Sequence, residues 1–164
     1  MRTGITGHQK LEDESAWAWV HEKLVSCLVS LKTPLIGVTS LAIGADQLFA
    51  NVILKCGGNL EIILPFPNYA DTFNTEARKE FERLLEQSNQ VDILPKVSSE
   101  EMAYLRAGEE IVERVDLLFA IWDGRPAAGL GGTADIVKYA RAKHVPGIHI
   151  NPETLTVTSL GNYN

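Results

Sequence analysis

Two cysteines, two methionines and four histidines are all that this 164-residue chain offers to a soft metal or a thiol reaction. Cys27 and Cys56 both fall in apolar helical patterns, with no CxxC spacing and no histidine pair nearby. They read as buried, reduced thiols of a reducing compartment, neither ligands nor a bridge. His8, His21, His144 and His149 lack metal-ligand spacing, so no metal is expected. A G-x-S-x-G elbow and a credible Cys–His pair are missing too. No apolar run approaches the length of a membrane span, and Met1–Thr6 reads as a strand where a leader would stand. The expectation is a cytoplasmic protein with no membrane partner. Positive charge is also scarce: 15 Lys and Arg against 21 Asp and Glu leave a net charge of −6. Nucleic-acid backbones call for a basic face, so nucleic acid is not expected as a partner. A small anion held by local backbone dipoles stays open.

What is present describes one globular domain spanning residues 1–164. The chain is 45% hydrophobic and 22% charged, and a domain of this length buries roughly 68–70% of its unfolded surface without staples. Strand-length apolar runs occur at Thr3–Thr6, Leu35–Thr39, Leu60–Leu64, Asp116–Trp122 and Gly147–Ile150, with a further short one at Val91–Leu94. Leu117–Ile121 has no polar alternation, as a strand covered on both faces requires. Between these runs apolar residues recur every three or four positions: Trp17 to Leu31, Leu48 to Cys56, Phe73 to Leu85, Met102 to Val115 with Gly108 as a close-packing point, and Ile136 to Ala140. Strand and helix in alternation imply an α/β, Rossmann-like domain: a mainly parallel twisted sheet with helices on both faces. Thr154–Val157 reads either as a last edge strand or as a tail that docks on a neighbour.

Ligands of such sheets sit beyond the carboxyl ends of the strands, so the residues after each strand carry the chemistry. After the first strand, Gly7 admits close backbone approach while Thr6, His8 and Gln9 offer hydrogen bonds. After the second, Ser40 leads to Gly44 and Ala45, which keep a helix start uncluttered for an anion. Asp46 either caps that helix or accepts from a ribose hydroxyl. After the third, Pro65 and Pro67 give a stiff exit, and Phe66 or Tyr69 either stacks on a base or packs internally. The strongest signal follows Trp122 and Asp123: Gly129-Leu130-Gly131-Gly132-Thr133 places three glycines at a helix start, a nest of amides for phosphate. Neither GK[ST] nor G-x-G-x-x-G occurs.

Taken together, Gly4-Ile5-Thr6-Gly7-His8, Ser40 through Asp46, Leu64-Pro65-Phe66-Pro67, Trp122-Asp123-Gly124 and Gly129–Thr133 resemble the SLOG superfamily. That group unites Smf/DprA-type and LOG-type Rossmann-like proteins, and the resemblance spans residues 2 to 150. It implies a pocket for a nucleotide or nucleotide-derived ligand, ADP-ribose-like signals included, and a sensor role in several members. With the apolar share and the surplus helical stripes, it also implies a homo-oligomer. LOG-type phosphoribohydrolases carry a pattern similar to P-G-G-x-G-T-x-x-E. Aligned on Gly132-Thr133, this chain has Ala128 for the proline, Leu130 for the second glycine and Ile136 for the glutamate. Asp135 lies one position earlier, about 100° round the helix.

Two functions follow. In one, the chain is a sensor or carrier: Gly129, Gly131, Gly132 and Thr133 hold phosphate, Ser40, Gly44 and Ala45 form the facing wall, and Gly7, His8 and Trp122 close the sides. Asp46 or Asp123 binds ribose. In the other, the chain cleaves or transfers at the N-glycosidic bond of a nucleoside monophosphate, with Asp135, Asp46 or Asp123 as acid, base or nucleophile. No cofactor beyond the nucleotide or ADP-ribose-like ligand is implied.

Overall fold

Residue 117 opens a strand in which every side chain is buried, and the rest of the sheet is assembled around it. The structure, a computed structural model, describes residues 1–127 and 129–161. Its strands are β1 (Arg2–Gly7), β2 (Ile36–Thr39), β3 (Asn59–Leu64), β4 (Gln90–Ile93), β5 (Leu117–Ile121), β6 (Gly147–Asn151) and β7 (Thr156–Ser159). They form one sheet in the order β4-β3-β2-β1-β5-β6-β7. All neighbours are parallel except β6 and β7. The five residues of β5 are buried throughout, as a run without polar alternation demands.

The helices are α1 (Ala16–Val29), α2 (Ala45–Lys55), α3 (Thr75–Glu86), α4 (Glu100–Glu113) and α5 (Thr133–Ala142), with a 3₁₀ turn at Tyr69–Thr72. Ala16, Val20, Leu24 and Leu28 form the buried stripe of α1, stepping by four. They join Phe49 and Ile53 of α2 and Phe81 and Leu84 of α3 over one face of the sheet. The opposite face carries Ala107, Ile111 and Val112 of α4 with Ile136 and Ala140 of α5. Helices thus cover both faces. Gly108 is a contact point between α4 and α5: a Cβ there would lie 2.3 Å from Ile136 Cδ1. Cys27 and Cys56 are free and only half-buried, less enclosed than their patterns suggest.

The last strand starts later than the apolar run indicates. Asn151 Oδ1 accepts the amides of Glu153 at 2.9 Å and Thr154 at 3.1 Å, which spends Thr154 in a turn. Leu155 follows with φ of 52°, and pairing with β6 begins only at Thr156. Among the described residues, no helix is long and apolar enough to cross a membrane.

Candidate functional site

From β1 the chain adds β2, β3 and β4 on one side and β5, β6 and β7 on the other, so the order reverses between β1 and β5. At that switch point, beyond the carboxyl ends of the strands, a cleft of about 590 Å³ opens. Thr6 and Gly7 at the end of β1, His8 and Gln9 after it, and Ser40 and Ala42 after β2 form one side. Asp123, Arg125 and Gly129 to Ala134, between β5 and the first turn of α5, form the other. The glycine loop and the β1 turn therefore meet as the sequence requires.

Gly7 lines the cleft, and its lack of a side chain also serves the fold. A Cβ on it would fall 2.6 Å from Ala45 Cβ and 2.9 Å from Ile121 Cβ, so its missing side chain lets α2 and β5 close on the end of β1. His8 is the turn's working side chain. Its Nε2 accepts the Asp123 amide at 3.1 Å, which puts the neutral ring's proton on Nδ1. Asp123 Oδ1 lies 3.3 Å from the same nitrogen, ready to accept once the ring is protonated.

The β2–α2 turn is arranged differently from the expectation. Gly44 and Ala45 stand behind the cleft wall, and neither lines it. Gly44 has φ of 84° and leans on backbone, since a Cβ would lie 2.5 Å from Gln9 O and 2.6 Å from His8 O. The Ala45 amide is spent on His8 O at 3.1 Å. The start of α2 thus braces the β1 turn where an anion seat was expected. Asp46 turns inward: its Oδ2 accepts the Thr39 hydroxyl at 2.8 Å and the Ser40 amide at 3.1 Å. Burial pushes its pKa up to about 6 against the lowering effect of those bonds. Asp46 therefore does not cap α2; it ties the turn that precedes the helix while lining the cleft.

Beyond β5, Trp122 Nε1 donates to Arg125 O at 2.8 Å, and its own carbonyl accepts His149 Nε2 at 2.7 Å. Asp123 is mostly buried, which raises its pKa, but the Arg125 amide on Oδ1, His8 and the Arg125 guanidinium together hold it below the usual carboxylate value. Gly131, at φ of 82°, docks on α4 backbone with a virtual Cβ 2.8 Å from Leu105 N. Its amide donates to Asp135 Oδ2 at 3.0 Å. Asp135 reaches back over the helix start as a capping acid, so the Gly131 amide is not open to phosphate. Asp135 and Ile136 both bond back to Gly132 O, and Thr133 and Ala134 have no intrahelical acceptor for their amides. Thr133 and Ala134 line the cleft. The aligned proline position, Ala128, lies outside the described residues.

Two lining residues escape a reading by motif. Arg125 is the cleft's guanidinium, tied to Glu153 at 2.9 Å and more loosely to Glu12 and Asp123. Two of its three partners, Glu153 and Glu12, are far along the chain, and only its place after a strand end marks it. Tyr104 sits on the inner face of α4, its ring 5.9 Å from Phe66 and 6.2 Å from Tyr69. Its every-fourth-residue relation to Gly108 is the signal. Tyr69 is 4% exposed and packs edge-on against Phe73 and Phe81, and Phe66 joins that cluster without lining the cleft. Tyr104 and Trp122 are the half-buried aromatic rings that line the cleft.

No family model and no curated protein matches the chain. Among solved structures it is similar to DNA processing protein A from Streptococcus pneumoniae, at 13% identity and a TM-score of 0.64, covering 90% of this chain and 49% of that one. It is similar also to DNA processing protein A from Helicobacter pylori, at 14% identity and a TM-score of 0.64, covering 91% of this chain and 64% of that one. The chain spans less than two thirds of either protein. The likeness is one of fold, to the Smf/DprA side of the resemblance; LOG-type proteins are not among these structures. The Helicobacter pylori protein has a single-stranded DNA binding mode. That finding overturns the expectation, drawn from a net charge of −6, that nucleic acid is not a partner. Net charge is a sum over the whole surface, and a strand is gripped locally.

Proposed function

We propose that the cleft binds a nucleotide-type ligand and that the chain works as a binding module, a sensor or carrier. The observation that carries this reading is the start of α5, where Thr133 and Ala134, whose amides have no acceptor among the described residues, line a cleft at the switch point of the sheet. Phosphate lies there, Arg125 supplies a positive charge, and Tyr104 offers a ring face at the far end. A free nucleotide, an ADP-ribose-like ligand and one unit of a single DNA strand would all meet the same groups. The three carboxylates considered as catalysts are otherwise engaged: Asp46 ties the β2–α2 turn, Asp135 caps α5, and Asp123 is held by Arg125 and His8. Such bonds favour binding over glycosidic chemistry, which needs a carboxylate free to face the sugar.

Isothermal titration with adenosine monophosphate, ADP-ribose, inorganic phosphate and a short single-stranded DNA tests the reading in parent and Gly132→Val. A Cβ at 132 already lies 2.9 Å from Ala127 Cβ, so valine displaces the loop beside the free amides. The expected result is binding of the nucleotide ligands that weakens by about tenfold or more in the variant, roughly 1.4 kcal/mol, with the melting temperature little changed. No binding by any of the four, or equal binding by parent and variant, overturns it.

A further inference from the structure

His8 and Asp123 line the main cleft on one side and, on the other, a second compartment of about 450 Å³ between the β1–α1 segment and the β6–β7 turn. Its lining is apolar at Leu11, Ala16, Trp19, Pro152 and Leu155. Leu155 is the unusual member: it is 53% exposed and held at φ of 52°, a left-handed backbone that costs a leucine free energy. A strained residue that displays a large apolar side chain over a cavity is poorly accounted for by packing alone. Of its charged lining residues, Glu12, Asp13 and Glu153 outnumber Lys10, a balance that disfavours phosphate and favours an uncharged group. Arg125 stands at the junction, contacting Asp123, Glu12 and Glu153.

We propose that this compartment takes the flat ring of a second nucleotide unit, joined through phosphate to the unit held in the main cleft. The proposal rests on the nucleotide reading of that cleft and narrows its ligand to one with two ring systems. Trp19 and Leu155 cover the faces of the second ring, as stacking surfaces do for bases in general. The linking phosphate passes the partition at His8 and Asp123, where Arg125 exchanges its carboxylate partners for the anion. Such chemistry is shared by a free dinucleotide and by two neighbouring units of a single strand.

Titration of the whole chain with adenosine monophosphate, a 5′-phosphorylated adenine dinucleotide and a 5′-phosphorylated adenine hexamer decides the matter. The dinucleotide should bind about tenfold tighter than the monophosphate. That gain should vanish in Leu155→Gly and in Trp19→Ala, with monophosphate affinity unchanged. Glycine adopts the backbone at 155 without strain, so Leu155→Gly should melt no lower than the parent. A hexamer that binds more tightly than the dinucleotide identifies a strand as the source; equal affinity identifies a free dinucleotide. Monophosphate binding sensitive to Gly132→Val, with no gain from the second unit or a gain that Leu155→Gly leaves intact, overturns the compartment and spares the cleft. Absence of monophosphate binding removes both.

Discussion

Asp46 shows how a residue that lines the cleft can also serve the fold. Its carboxyl is buried, and its pKa is raised to about 6 from 3.8 because the cost of desolvating charge exceeds what Thr39, Ser40 and Ala42 return by hydrogen bonding. A carboxyl that binds its proton more tightly when folded stabilises the protein most below the unfolded value, near pH 4. That contribution is lost as the pH rises through about 6. The loss is on the order of 3 kcal/mol for a shift of this size. Asp123 and Asp92, held low by their partners, act with the opposite sign, so the comparison must be with a variant. Denaturant unfolding of parent and Asp46→Asn should show the variant gaining on the parent between pH 4 and pH 7. A difference that stays flat across that range would mean that Asp46 is ionised at little cost.

At the scale of elements, the cleft depends on how closely α4 and α5 approach. Gly108 on α4 leaves no room for a methyl group beside Ile136. Gly108→Ala gains about 1 kcal/mol of helix propensity yet overpacks this contact at a cost of about 1–3 kcal/mol. The variant should therefore be less stable than the parent and bind nucleotide more weakly, because α5 carries the amides of Thr133 and Ala134. Ile136→Val removes the atom that a methyl at 108 would strike first. The double variant should be more stable than the sum of the two single changes by about 0.5–3 kcal/mol; strict additivity would place the strain elsewhere. This contact was legible in the sequence as a glycine within an apolar stripe, and so were β1 to β6, because apolar runs and glycine-marked exits are local signals. Other features were not legible, for reasons of distance and direction. Gly44 reads as an opening for an anion, yet backbone from the β1 turn fills it. Gly131 reads as an amide donor, yet Asp135, four residues on, accepts that proton. Arg125 gains its place chiefly through Glu153, 28 residues away.

For the whole molecule, the strand order explains why residues from five separated segments meet. β1 lies at the centre with β2 and β5 beside it, and the turns leaving these three strands supply most of the cleft. The charge distribution leads to a further expectation. In the proposed reading, phosphate would meet amides and the guanidinium of Arg125 in a cleft that Asp46 and Asp123 also line, on a chain that carries −6. Few counterions are released on binding, so the logarithm of affinity should fall against the logarithm of salt with a slope shallower than about −1. A steep slope in titrations between low and physiological salt would require a basic track elsewhere on the surface. Gly44 and Gly131 share a further consequence, since each presses main chain onto main chain: one on the turn after β1, the other on α4. These spacings owe little to side-chain rotamers. The distance between these supports is therefore set when the chain folds, before any ligand arrives. Substitutions among the surrounding side chains can then alter which ligand is chosen over evolutionary time while leaving the aperture's dimensions as they were.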